Sequence, residues 1–85
     1  MEIYRLGISA DAAETYRKMD LFERQFVYDL FENFKIGRAL EGDYADEPEQ
    51  DSPRRGVIVS NWAISFVVDR ELKTVWVTSI YPADR

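Results

Sequence analysis

The spacing of apolar positions changes several times along the chain, and each change marks an element. Residues 2–8, EIYRLGI, set Ile3 against Tyr4 and carry branched and aromatic side chains, which suits a strand. Ser9 then offers an N-cap hydroxyl, with Asp11 and Glu14 at the positive end of a short helix over about residues 10–18. Ala13 and Tyr16 are its expected inward positions, and Gly7 just before it lets the chain turn.

Asp20 with Glu23 three residues on forms a capping-box pattern and opens a second helix. Phe22, Phe26, Val27, Leu30, Phe31 and Phe34 recur at spacings of three and four, while Glu23, Arg24, Gln25, Asp29, Glu32 and Asn33 fill the other face. This is an amphipathic helix whose aromatic stripe serves as core rather than as a cofactor box. Gly37 closes it.

From Leu40 to Pro53 the chain turns acidic and polar, and a loop is expected there. Its negative cluster runs through residues 41–51 as Glu41, Asp43, Asp46, Glu47, Glu49 and Asp51. Such a run is a solvated loop first; a divalent-ion site or a mimic of nucleic-acid phosphates are the sharper readings.

Three strands follow. Val57–Ser60 is the first, Ser60-Asn61 a tight turn or bulge, and Trp62–Val68 the second, with Trp62, Ile64, Phe66 and Val68 alternating against Ala63, Ser65 and Val67. Residues 69–72 turn the chain into a third strand, Thr74–Tyr81, which Pro82 ends because it has no N–H to donate. Pairing Val68 with Lys73 buries Val75 and Val77 beside the aromatics and leaves Ala63, Ser65, Trp76 and Thr78 on the other face. A slip of one residue buries Trp76 and Ile80 instead. The first register is favoured because it adds two valines to the core. The expected architecture is α+β: a helical hairpin packed on one face of a small, mainly antiparallel sheet in the order β-α-α-β-β-β.

Eighty-five residues make a single domain, 1–85, and a chain 46% apolar and 14% aromatic has enough side chains for a core. There is no cysteine and no histidine, so disulfides, thiolate chemistry, the commonest general base and cysteine- or histidine-bound zinc are excluded. No metal and no cofactor are expected. The net charge of −5 disfavours wholesale binding to phosphate backbones and suits a basic protein partner better. No apolar run is long enough to span a bilayer and MEIYRLGIS has no signal-peptide pattern, so a cytoplasmic bacterial protein is expected, with no membrane partner.

The element order and several local stretches resemble the RelE/ParE toxin superfamily of the plasmid-stabilisation type. Gly37-Arg38-Ala39-Leu40-Glu41-Gly42 is similar to that family's Gly-x-x-Leu-x-Gly exit from the second helix. Arg54 and Arg55 fall where it places basic residues, Asn61–Phe66 resembles its Gly-aromatic-Arg-aliphatic-x-aromatic strand, and Val75–Ile80 with Arg85 resembles its last strand and trailing cation. The resemblance implies a toxin–antitoxin component. Active members are endoribonucleases on ribosome-bound mRNA and use cations and a proton shuttle on the open sheet face. By that likeness the candidate catalytic residues are Arg54, Arg55, Tyr81 and Arg85. Ala63 stands where the family carries a central arginine, which tips the expectation slightly toward a non-catalytic module. Such a module would bind an antitoxin, gyrase or a second copy of itself, with Trp76 as the expected partner-binding residue.

Overall fold

A computed structural model describes residues 3–45 and 54–83. The elements run β1 (Arg5–Ile8), α1 (Ala10–Lys18), α2 (Leu21–Lys35), β2 (Tyr44–Ala45), β3 (Arg54–Val59), β4 (Trp62–Asp69) and β5 (Thr74–Pro82). The strands form one sheet in the order β1-β5-β4-β3-β2, with β1 parallel to β5 and the other pairs antiparallel. Both helices lie on one face, as the sequence implies. The expected loop at 40–53 differs in one respect: Tyr44 and Ala45 pair with Gly56 and Arg55 as a two-residue edge strand. Residues 46–53, which carry most of the acidic cluster, lie outside the described residues, as does Arg85.

Each helix starts where a side chain takes up an orphan N–H. Ser9 Oγ accepts from Ala12 N at 3.1 Å, and Asp20 Oδ1 accepts from Glu23 N at 2.8 Å. The end of α2 is a Schellman turn: Gly37 N donates to Phe34 O and Arg38 N to Asn33 O, with Gly37 at φ 78°. One guanidinium joins the two helices. Arg24 Nη2 donates to Arg17 O and Met19 O, both at 3.0 Å, and lies 5.8 Å from the centroid of Tyr16. The last carbonyls of α1 are thereby satisfied by the helix that follows.

The inward faces are narrower than the sequence suggests. In α1 it is Ala12 that is buried, with Ala13 and Tyr16 only half-buried. In α2 the core takes Val27, Leu30, Phe31 and Phe34, while Phe22 is 73% exposed and Phe26 43%. At about 100° per residue, Phe26 lies a quarter turn from Val27, and Phe22 lies further round still. Their rings pack on each other edge to face, at 5.1 Å, instead of on the sheet. The contact between layers is Phe34 against Phe66, both fully buried with centroids 4.6 Å apart.

The sheet register combines the two alternatives. Val68 pairs with Val75 rather than Lys73, which keeps the favoured parity: Val75 and Val77 are buried and Trp76 is 49% exposed. Yet Ile80 is buried as well. Phe66 pairs with Val77 but Ser65 with Ser79, so Thr78 is an extra residue in β5. Beyond that bulge the parity of β5 is reversed, and Ile80 faces the helices opposite Ile64. Thr78 Oγ1 donates to Ser65 O, and Ser9 Oγ donates to Thr78 O at 2.9 Å.

Truncating Phe34 or Phe66 to alanine should cost about 3–5 kcal/mol, whereas Phe22→Ala should stay within about 0.5 kcal/mol of the parent. Denaturant titration of the three variants checks this division of the aromatic stripe. At the end of α2, Gly37→Ala should cost about 1 kcal/mol in the same measurement, because a Cβ resists the left-handed φ.

Candidate functional site: the open face of the sheet

The face away from the helices can be assembled row by row from the strand pairing. One row runs Gly7, Trp76, Val67, Arg54; the next Ser79, Ser65, Gly56, Tyr44; the third Tyr81, Ala63, Ile58. Above the first row, Arg5 and Asp69 flank Thr74. Two glycines shape the surface. A Cβ on Gly7 would stand 2.3 Å from the Trp76 ring and one on Gly56 2.3 Å from the Tyr44 ring, so each ring lies directly over a glycine. Trp76, Tyr44, Tyr81 and Ile58 are all exposed, whereas Ala63 and Ser65 in the central strand are buried.

The sequence-predicted residues do not converge. Arg54 and Arg55 are adjacent in one strand and therefore point to opposite faces. Arg54 is on the open face, in the row of Val67 and Trp76. Arg55 shares the helix side with Phe66 and lies 3.9 Å from Glu41, whose other oxygen accepts from Arg70 at 3.1 Å. Tyr81 is on the open face beside Ala63, at the far end from Arg54. Four residues along the strands and two strand spacings separate Arg54 and Tyr81. Their Cα positions are therefore roughly 16 Å apart.

At the centre stand Ala63, Ser65 and Gly56, with no charged side chain among them. Stabilising a developing phosphorane needs cations aimed at its oxygens and a group to move a proton. Asp69, the one carboxylate in the rows above, has its Oδ1 engaged in accepting from Leu72 N at 3.0 Å, where it caps the β4–β5 turn. Among the described residues no three acidic side chains cluster as a metal site would require. The residue that sequence reasoning missed is Arg5. It sits on the open face next to Trp76's row, and only the parallel pairing of β1 with β5, a long-range feature, places it there.

No family model matches the sequence, and no curated protein does. Solved structures match its fold. The archaeal RelE–RelB complex of Pyrococcus horikoshii OT3 superposes with a TM-score of 0.75 at 9% identity, over 98% of both chains. The isolated E. coli RelE toxin gives 0.71 at 21% identity, covering 96% of this chain and 86% of that one. The RelBE2 toxin–antitoxin complex of Mycobacterium tuberculosis gives 0.66 at 16% identity, over 99% and 97%. The chain has the RelE-like toxin fold, and the resemblance seen in its sequence is confirmed at that level.

The ring-over-glycine packing is directly testable. Gly7→Ala should displace the Trp76 indole and red-shift the tryptophan emission, while Trp62 supplies the unchanged background. Gly7→Ala in a Trp76→Phe background should leave that emission unmoved.

Proposed function

We propose that this chain is the RelE-fold partner in a toxin–antitoxin pair and that it binds protein through its sheet rather than cleaving RNA. The observation that supports this reading is Ala63: a small, buried, uncharged residue at the centre of the face where a nuclease of this fold would need a cation. The separation of Arg54, Arg55 and Tyr81 adds to it, since three groups on two faces cannot hold one phosphate. The face offers instead aromatic and aliphatic side chains, Trp76, Tyr81, Tyr44 and Ile58, of the kind enriched at protein interfaces. Complexes of RelE with RelB among the structures of like fold favour an antitoxin-type segment as the partner over gyrase, a ribosome or a second copy. The chain acts in the cytoplasm on this reading, and no helix among the described residues is long and apolar enough to cross a membrane.

Expression of the chain alone in a bacterial host should cause no growth arrest and no cleavage of translated mRNA. Affinity purification from its own host should instead recover a small protein encoded beside it. Cleavage that is lost in Arg54→Ala or Tyr81→Phe would overturn the proposal and restore the nuclease reading.

A further inference from the structure

One edge of the sheet is open. Arg5 N donates to Lys73 O at 2.7 Å and Ser9 N to Val77 O at 2.9 Å, so the alternate residues Arg5, Gly7 and Ser9 direct their amides at β5. Leu6 and Ile8 then direct theirs away from the sheet, and among the described residues neither amide has a partner. β1 is an edge strand with its outward donors and acceptors unpaired, a template for one more strand.

Beside that edge lies a cleft of about 460 Å³, lined by Arg5, Gly7, Leu72, Thr74 and Trp76 together with Glu71. Its floor is the indole laid across Gly7, so the apolar ring reaches over β1 toward the open edge. Leu72, 65% exposed, forms an apolar wall. The Arg5 guanidinium makes no ion pair or hydrogen bond among the described residues, and Glu71 lines the cleft without pairing with it.

We propose that the β1 edge and the Trp76 cleft together dock an extended segment of a partner protein, which adds as a sixth strand. Its recognition rule follows from the pairing. In an added strand about 4.8 Å from β1, the residue beside Arg5 and the residue beside Gly7 are two apart and face the open side. The first is acidic, to meet the guanidinium; the second is large and apolar, to cover the indole where Gly7 offers no side chain. A second copy of this chain does not satisfy the rule. β1 itself, Arg5–Ile8, contains no acidic residue, so β1 laid against the β1 of a second copy supplies no carboxylate to Arg5.

This site rests on the protein-binding reading above, and the test separates the two. The probe is a short synthetic peptide of alternating threonine and facing residues, with glutamate two positions from isoleucine. Amide hydrogen exchange followed by NMR should show Arg5, Gly7 and Ser9 protected in the free protein and Leu6 and Ile8 unprotected. The peptide should then protect Leu6 and Ile8. Arg5→Glu should weaken binding about five- to tenfold, and a peptide with lysine in place of glutamate should recover it. Trp76→Ala should weaken it about tenfold or more.

Peptide binding indifferent to both substitutions, or no protection of Leu6 and Ile8, would overturn the site. Protection of those two amides before any peptide is added, with a dimer on sizing, would overturn it in favour of self-association. If the host partner is still captured by Arg5→Glu and Trp76→Ala, the protein-binding reading stands and this docking site falls. If the peptide binds as described but no host partner exists, the site stands and that reading falls.

Discussion

The single extra residue at Thr78 decides what both faces of the sheet present. Before it, β5 turns Val75 and Val77 to the helices and Trp76 outward; after it, Ile80 faces inward and Tyr81 outward. A regular strand would have to choose between the two valines and the isoleucine, because side chains alternate without exception. Two hydrogen bonds hold the bulge. Its hydroxyl donates to the Ser65 carbonyl, its own carbonyl accepts from Ser9, and Ser9 is also the residue that caps α1. The start of the first helix and the parity of the last strand are thus fixed by one serine. Disturbing either would change which aromatic side chains reach the surface.

That dependence explains which parts of the fold were legible in the sequence. The helix boundaries were, because Ser9, Asp20 and Gly37 act on amides and carbonyls within a few residues of themselves. The hairpin at Ser60-Asn61 was also local: it joins Val59 to Trp62 with Ser60 at φ 56°. The register of β5 was not. Two alternating patterns, Val75/Val77 and Trp76/Ile80, compete for one core face, and a bond from residue 9 to residue 78 reconciles them. The split of the α2 stripe was hidden for a similar reason, since periodicity shows an apolar arc but not how wide a sheet lies beneath it.

The site was legible only in part. Trp76 was expected on the open face and is there; Ala63 was noticed as a gap and occupies the centre of that face. Arg54 and Arg55, adjacent in sequence, looked like a pair, but a strand sends neighbours to opposite sides. Arg55 meets Glu41 behind the sheet, where Glu41 also holds Arg70. Arg5 could not have been found from its surroundings in the sequence, because the strand that brings it to the face is sixty-nine residues away at the Arg5–Thr74 pairing.

The two borders of the sheet are unlike. On the β3 side the strand beyond is only two residues long, and the Ile58 amide is taken by Asp43 Oδ2 at 3.0 Å, so the ladder stops there. On the β1 side nothing caps Leu6 or Ile8 among the described residues. Asp43 thus spends the Ile58 amide within the molecule, whereas β1, the strand laid parallel to its neighbour, keeps its Leu6 and Ile8 amides turned outward.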